Sequence, residues 1–586
     1  MQEIELKFQI PALALSAVQA ELTALDGGHH APLRLRAAYF DTPERALAHA
    51  HMALRVRQEG RRWVQTLKAG GSNTMMRLED NQPAKAPKAR QAVVADLARH
   101  LGTPAETALR TVLGWDPAQD PSGAATGLIE LYRTDITRHR ARVTVGAGTP
   151  YEGVVELALD LGHIHAGELN VTVRELEIES ISGHPMAVIE ASRDWVRRHG
   201  VWLDTQTKAH RGDRLARLAS QASAASDTAS PEAEAEAEAE HATLARPARL
   251  QPDSTLDQAW RAALESCLEQ ISANMSELGT APAVLQRTGY QWRLGLRRLR
   301  ALARLLKPTR LPFPHAALAH ADALYAQLGL WRDAQVLAWL PAKIVRKGGP
   351  DLPLPYPDMS ATHDEAVIAL ARSGAATTLC LDLLAALLHP PGDNAEAQQP
   401  YRPWLVKRLG AWRTRCREAA RHAGKLSEVE LHTLRKRAKR LRLMADLFAP
   451  AWKPKRYQAH GRALKRALDA MGHIQDEAVA EAETQGEAPA EEAKPRRRTR
   501  RPGGGRPRPR NPFPGGHHGG AVPPRQLRHA APARGPSRPG ARPPRPSTGA
   551  HRPTRPPPGR RGRSRRSSGC WPAAICGRAA RKPSFP

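Results

Sequence analysis

The first ten residues constrain the chain more than any other stretch. In Glu3-Ile4-Glu5-Leu6-Lys7-Phe8-Gln9-Ile10, charged and apolar side chains alternate. Side chains on a strand point to opposite faces with period two. Glu3, Glu5 and Lys7 therefore share one face, and Ile4, Leu6, Phe8 and Ile10 share the other. By itself such a charged face reads as solvated. The pattern recurs, however. Arg55 and Arg57 alternate with Leu54 and Val56, and Trp63, Gln65 and Leu67 alternate with Val64, Thr66 and Lys68. Arg138, Arg140 and Arg142 share a face, as do Glu156, Ala158 and Asp160. Glu175, Glu177 and Glu179 stand opposite Leu176 and Ile178. A closed antiparallel barrel with a polar lumen and an apolar exterior covered by helices accounts for these repeated rows.

The two charge types define a chemistry. Rows of Arg and Lys match a polyanion with many oxygens, as phosphates have. Hard carboxylates bind Mg²⁺ or Mn²⁺, and metals bridging phosphate oxygens promote in-line attack. Both types in one lumen fit phosphoanhydride hydrolysis better than anion storage, which needs no glutamates.

The net charge of +30 points elsewhere. Of the 88 lysines and arginines, 25 lie between Lys494 and Pro586, a stretch with no Asp or Glu, which leaves 63 basic against 58 acidic residues in positions 1–493. The basicity belongs to the tail. The five cysteines (Cys267, Cys380, Cys416, Cys570 and Cys576) form no Cys-x-x-Cys pair, so neither a disulfide framework nor a zinc site is expected. With no secretory leader and no apolar run near the roughly 18 residues that span a bilayer, the expected location is cytoplasmic, with no membrane partner.

Four segments follow from composition and periodicity: 1–216, mixing strands and helices; an Ala/Ser/Glu-rich linker, 217–247; a helical domain, 248–483; and an Arg/Pro/Gly-rich tail, 484–586. In the third, Ser254 is the expected N-cap with Asp257 near N3, and amphipathic runs recur at 317–340, 363–389, 402–421, 427–448 and 456–480. Arg293, Arg297, Arg300 and Arg304 line one helix face, and His432, Arg435, Lys439 and Arg442 line another. The tail has no periodicity with which to form a core. It reads as a disordered stretch, out of frame in a GC-rich gene, which would leave the helical domain truncated. Arg61 and Arg62 are expected at a solvated hairpin, and Arg211 serves equally as a structural ion-pair partner or a ligand.

The first segment resembles the CYTH domain of the triphosphate tunnel metalloenzymes. The residues carrying the resemblance are Glu3-x-Glu5-x-Lys7, Tyr39-Phe40-Asp41-Thr42-Pro43, Leu54-Arg55-Val56-Arg57, Thr66-Leu67-Lys68 and Arg77-Leu78-Glu79. Further along come Thr134 to Arg138, Glu156 to Asp160, Arg174 to Glu179 and Thr207 to Gly212. The resemblance implies an eight-stranded tunnel. It implies that Glu3 and Glu5 bind divalent metal, with Glu175 and Glu177 completing metal and water positioning. Lys7, Arg55, Arg57, Lys68, Arg138 and Lys208 would hold the triphosphate, with Arg77 and Arg140 secondary. Asn81 departs from the pattern, since many members have Arg-x-Glu-x-Glu and here Asn81 follows Arg77 and Glu79.

The helical segment resembles the CHAD domain through Gln291-Trp292-Arg293, Arg297 to Arg300, Leu328 to Val336, His432-x-x-Arg435, Lys439 to Arg442 and Leu468 to Asp476. Tyr290 replaces an expected histidine. This resemblance implies binding of inorganic polyphosphate by Arg293, Arg297, Arg300, His432, Arg435, Lys439 and Arg442. The expected whole is a multidomain α+β chain: an antiparallel eight-stranded β-barrel with flanking helices, an all-α helical-bundle domain, and the tail. The expected activity is Mg²⁺- or Mn²⁺-dependent hydrolysis of inorganic triphosphate to diphosphate and phosphate. Thiamine or nucleoside triphosphate hydrolysis, adenylate cyclization and a non-catalytic polyphosphate-binding adaptor are the alternatives. A nucleic-acid partner is expected only through the tail.

Overall fold

The computed structural model describes residues 2–69, 76–87, 91–224, 242–280, 286–346 and 360–484. Within these ranges side chains are described except at 2–3, 76–78, 222–224, 334–346, 360–363 and 472–484. The tail, the side chains of Glu3 and Arg77, and those of His473 to Asp476 lie outside the described residues.

Nine antiparallel strands form one sheet: β1 (Gln2–Gln9), β2 (Leu33–Asp41), β3 (Met52–Glu59), β4 (Arg62–Ala69), β5 (Met76–Ala84), β6 (Ile129–Val145), β7 (Gly153–Ala166), β8 (Leu169–Gly183) and β9 (Trp202–Leu203). The order is β5-β4-β3-β2-β6-β7-β8-β1-β9, and β1 also pairs with β5. That last pairing is brief, joining Gln2, Glu3 and Ile4 to Leu78, Arg77 and Met76. The sequence predicts eight strands in a closed tunnel. The sheet instead has a ninth, two-residue strand beside β1, and it curls until its ends meet over three residue pairs, not a long ladder.

The alternation seen in the sequence sets which face is covered. Leu6 and Phe8 of β1, Ile10 just after it, and Leu176 and Ile178 of β8 are buried against α1 (Leu15–Asp26) and α3 (Met186–His199). Leu54 and Val56 of β3 are buried with Leu97, Leu109 and Trp115, around α2 (Pro104–Leu113). Arg61 and Arg62 are exposed at the β3–β4 turn, as expected. The interior is not polar throughout. Leu35, Tyr39, Tyr132, Ile136, Ile164 and Val173 form an apolar patch covered by Leu215 and Ala216 of α4 (Lys208–Ala224). Burying those side chains under α4 aims the N-terminus of that helix, and hence Lys208, into the polar remainder.

Gly212 makes this approach possible. A Cβ there would stand 2.2 Å from the Tyr132 ring. Tyr132 in turn donates its hydroxyl to the carbonyl of Ala209 at 3.0 Å and stacks on Tyr39 with centroids 4.7 Å apart.

The helical domain comprises α5 (Leu256–Thr280), α6 (Gln286–Leu306), α7 (Leu318–Arg346), α8 (Ser360–Ala371), α9 (Gly374–Leu388), α10 (Tyr401–Arg421), α11 (Glu428–Leu447) and α12 (Pro454–Thr484), with short helical turns between some of them. The single run predicted at 363–389 is two helices, because the Ser373 side chain caps α9 at the Ala376 amide. The cap of α5 is Thr255, not Ser254. The Thr255 hydroxyl accepts from Gln258 N at 3.2 Å while the Gln258 side chain accepts from Thr255 N at 2.9 Å, a reciprocal capping box. Ser254 instead accepts from Gln251 N, and Asp257 is buried against Trp260 and Arg261. Residues 242–250 are fastened to the bundle: Asn274 bonds Thr243 at 2.8 Å and 3.1 Å, and Ala248 N donates to Leu447 O at 2.8 Å. Among the described residues, no single helix is long and apolar enough to cross a membrane.

Gly212→Ala is expected to destabilise the protein by about 1–3 kcal/mol through overpacking against Tyr132. Gly461→Ala in α12, where a Cβ meets nothing within 4 Å, is expected to gain about 0.5–1 kcal/mol. Urea unfolding followed by tryptophan fluorescence measures both.

Candidate functional site

The inward-facing rows of the sheet and the start of α4 enclose a cavity of about 590 Å³. Glu5, Lys7, Arg55, Arg57, Lys68, Glu79, Arg138, Asp160, Glu177, Glu179 and Lys208 line it. Strand register brings opposite charges together. Lys7 pairs across the ladder with Glu177, whereas the neighbouring pair, Glu5 with Glu179, sets two carboxylates side by side. Arg138 stands opposite Asp160, and Lys68 opposite Glu79.

The side chains complete what the register begins. Lys7 Nζ lies 2.6 Å from Glu5 Oε1 and 3.1 Å from Glu177 Oε1. Lys68 Nζ is 2.8 Å from Glu79 Oε2. Arg138 makes a two-pronged contact with Asp160 at 2.6 and 2.7 Å and reaches Glu177 Oε2 at 2.5 Å. Lys208 Nζ meets Asp160 at 2.7 Å, Glu177 at 2.9 Å, and also Glu175. Arg55 donates to the Tyr39 hydroxyl at 3.4 Å, and Arg57 is held by Glu59. Removing one member of such a buried set leaves an uncompensated charge.

This crowding shifts proton affinities in opposite directions. Burial works against ionisation of Glu177, yet Lys208, Lys7 and Arg138 together hold its carboxyl well below the usual range. Burial likewise opposes ionisation of Asp160, and Arg138 and Lys208 overcome it. Glu179 behaves differently. Burial, then Glu5, Glu156 and Glu177, push its pKa up. It makes no hydrogen bond or ion pair among the described residues. A carboxylate crowded by other carboxylates on a cavity wall belongs to the donor set that a hard divalent cation takes. Glu5, Glu177 and Glu179 are carboxylates on this wall of the kind that a hard divalent cation takes. Among the described residues, the acids whose oxygens all lie within 4.8 Å of one another are Asp160, Glu175 and Glu177. There, Lys208 and Arg138 already occupy the space between the acids.

In the helical domain, Arg293, Arg297 and Arg300 converge on Tyr325, with guanidinium carbons 4.5, 5.7 and 4.4 Å from the ring centroid. Arg297 also donates to the Tyr325 hydroxyl at 3.1 and 2.8 Å, and Arg300 meets Asp322 at 2.5 Å. His432, Arg435, Lys439 and Arg442 are half-buried beside the stripe Leu431, Leu434, Ala438 and Leu441 of α11. Arg440 of that helix faces Arg304, Arg437 and Arg300. Burial first, and then those three charges, lower its pKa.

Residues 1–212 match the CYTH domain model and residues 262–485 the CHAD domain model. The chain joins a CYTH domain to a CHAD domain. The inorganic triphosphatase of Haemophilus influenzae is 29% identical over 218 residues, 36% of this chain and 54% of that protein. The match thus spans about half the length of that curated relative. Among solved structures, the CHAD domain of the plant Ricinus communis is 23% identical over 42% of this chain and 83% of its own, with a TM-score of 0.32. A Hippeastrum adenylyl cyclase homologue described as having a dominant triphosphatase activity is 18% identical over 36% of this chain and 95% of its own, with a TM-score of 0.26. Likenesses this low add nothing to the assignment.

In the CYTH domain, Glu5, Lys7, Arg55, Arg57, Lys68, Arg138, Glu177 and Lys208 come together on one cavity. Glu175 does not line it. Glu175 is fully buried and takes hydrogen bonds from Gln9 at 3.1 Å and an ion pair from Arg211. Arg211 is thus an ion-pair partner. Burial pulls its pKa down to about 10, which leaves it charged at neutral pH. Asn81 also stands outside the cavity lining, accepting from Thr66 Oγ1 at 2.7 Å. The site further includes Tyr39, Glu79, Asp160 and Glu179, none of which the sequence reading assigned a role. Asp160 and Glu179 sat on charged period-two rows, and that was the available signal. Glu277 of α5 also lines the cavity, and no local pattern announces it.

Because Glu177 and Asp160 titrate below their unfolded values, the stability they contribute is present above the ordinary carboxylate pKa of about 4 and is lost as pH falls below it. Lys208→Met should therefore destabilise the metal-free protein by about 3–5 kcal/mol at pH 7, with the difference from wild type shrinking as the pH drops below about 4. Urea unfolding at the two pH values checks both the size and the sign.

Proposed function

We propose that the CYTH domain hydrolyses inorganic triphosphate to diphosphate and phosphate in a reaction that needs a divalent cation. One observation carries the reading: a single cavity places six cations, Lys7, Arg55, Arg57, Lys68, Arg138 and Lys208, beside the carboxylates Glu5, Glu79, Glu177 and Glu179. The inorganic triphosphatase likeness over the same residues supports it.

On this reading, the guanidinium groups of Arg55, Arg57 and Arg138 and the ammonium groups of Lys7, Lys68 and Lys208 bind the non-bridging oxygens of the chain. They also neutralise charge that builds on the leaving diphosphate. Water adds to the terminal phosphorus as the bridging P–O bond breaks. Bound Mg²⁺ or Mn²⁺ would supply further charge neutralisation and a more acidic water. Glu5, Glu177 and Glu179 would hold it. The ion pairs of the ligand-free cavity make the two binding events cooperative. Lys7 cannot turn fully to phosphate without releasing Glu5 and Glu177, and the released carboxylates are the ones a cation needs.

Phosphate release from triphosphate, ATP and thiamine triphosphate, with Mg²⁺, Mn²⁺ or excess chelator, tests the reading. Triphosphate should be the best substrate and the chelator should abolish turnover. Glu5→Gln should lower kcat by about 10²–10³-fold, the scale of losing one charge-stabilising group, and should spare triphosphate binding more than Lys7→Ala does. Full activity in Glu5→Gln or in chelator sinks the metal-dependent mechanism.

For the CHAD domain we propose inorganic polyphosphate binding through Arg293, Arg297, Arg300, His432, Arg435, Lys439 and Arg442, supported by the convergence of the first three on Tyr325. Charge reversal of both Arg293 and Arg297 to Glu should strongly reduce retention on immobilised polyphosphate. Retention equal to wild type would remove these two from the site.

A further inference from the structure

The cavity is not walled by the CYTH domain alone. Ala273 and Glu277 of α5, the first helix of the helical domain, line it together with Thr205, Gln206 and His210. Glu277 is 4% exposed. Its Oε1 accepts from His210 Nε2 at 3.0 Å, and its Oε2 lies 3.4 Å from Arg214 Nη1. His210 and Arg214 are one helical turn apart on α4 and share a face. Lys208, Arg211 and Gly212 point the other way, toward the carboxylate cluster and Tyr132. The helix that carries Lys208 is thus gripped from behind by a carboxylate belonging to the other domain.

The approach to that helix is stitched down as well. Leu203 N donates to Thr377 Oγ1 at 3.1 Å, Thr205 N to Ser276 Oγ at 2.9 Å, and Gln206 Nε2 to Thr280 Oγ1 at 3.1 Å. Trp202 lies flush on Gly279, where a Cβ would come within 2.6 Å of the ring. Mere adhesion between domains would call for apolar contact anywhere on the sheet's exterior. Here, beside an ion pair of Arg193 with Asp382 at 2.7 Å, a cluster of polar contacts falls on the twelve-residue stretch 203–214 that contains Lys208 and Arg211.

We propose that Glu277 is a positioning residue for the triphosphate site: the helical domain completes the CYTH cavity in the same chain by fixing α4 so that Lys208 reaches Asp160 and Glu177. The inference rests on the triphosphatase reading for its functional readout, but its structural claim stands on α4 itself. Without the Glu277 carboxylate, His210 and Arg214 lose their shared acceptor.

The test uses the full chain as wild type, Glu277→Gln, Glu277→Ala and Ser276→Ala, with two readouts. Hydrogen exchange on the ligand-free proteins should show faster exchange at the amides of 205–214 in Glu277→Ala, with α7 and α11 unchanged. In steady-state kinetics, KM for triphosphate should rise about tenfold in Glu277→Ala, the order expected when a charged hydrogen-bond partner is lost, with a much smaller change in kcat. Glu277→Gln, which keeps an acceptor oxygen, should recover part of the KM. Unchanged exchange at 205–214 overturns the proposal, as does altered exchange with KM unmoved. If Glu277→Ala does not fold, Ser276→Ala removes the neighbouring clamp more gently and is judged by the same two criteria. If wild type turns over no triphosphate, the functional reading fails by itself, and the exchange result still decides whether Glu277 fixes α4.

Discussion

Lys208 lies at the meeting point of three buried carboxylates, and much of the curled sheet is arranged to keep it there. Asp160, Glu175 and Glu177 come from adjacent positions on β7 and β8. Three acids on neighbouring strands, all nearly excluded from water, repel one another and favour protonation. The ammonium of Lys208 and the guanidinium groups of Arg138 and Arg211 reverse that balance. Burial depresses the pKa of Lys208, yet Asp160 and Glu177 raise it past its ordinary value. Each charge in the network is tolerable only because the others are present. Lys208, however, is not on the sheet; it arrives at the tip of a helix. The position of α4 is therefore as much a part of the site as any strand.

This explains why the apolar patch on the concave side of the sheet matters. Leu35, Ile136, Ile164 and Val173 do no phosphate chemistry, but together with Tyr132 they form the seat on which Leu215 and Ala216 rest. Gly212 lets the backbone descend onto Tyr132, and one turn earlier Lys208 enters the lumen. The sequence Lys208-Ala209-His210-Arg211-Gly212 thus divides its labour by helical phase. Lys208 and Arg211 address the acids, Gly212 addresses the aromatic seat, and His210 addresses the neighbouring domain.

The strands were legible from period-two alternation, because a residue's neighbours along the chain report which face it takes. The same logic recovered the helices of the second domain and the grouping of Arg293, Arg297 and Arg300. It failed where the deciding contact lies across the chain. Two residues on an inward row, Glu175 and Glu177, look alike in sequence. Only the packing of Arg211 and Gln9 separates the fully enclosed Glu175 from the cavity-lining Glu177. The cap of α5 was misplaced by one residue because Ser254 and Thr255 are both capable caps, and the reciprocal bond to Gln258 decides between them. Glu277 was invisible for a stronger reason. On its own helix it is one acid among buried neighbours, and its partners lie more than sixty residues away.

The two domains treat positive charge in different ways. In the CYTH cavity the cations are matched, nearly one for one, by carboxylates delivered through strand register. The lumen is then stable without a ligand, and a polyanion must compete with internal ion pairs for each cation. Around Tyr325 and along the α6–α11 contact, arginines face one another and an aromatic ring, with Asp322 as a local acid at the rim. Burial first, and then neighbouring arginines, lower the pKa of both Arg293 and Arg440, although Tyr325 and Asp333 partly offset this at Arg293. A matched cavity favours selectivity, since only a ligand whose charges fit the exchange of partners gains by entering. An under-compensated surface favours any long polyanion and yields to salt, because exposed charges are screened beyond about 8–10 Å at ordinary ionic strength. Since α5 packs against α6 and also carries Glu277, the helix that backs the matched cavity is a direct neighbour of the helix that carries Arg293, Arg297 and Arg300.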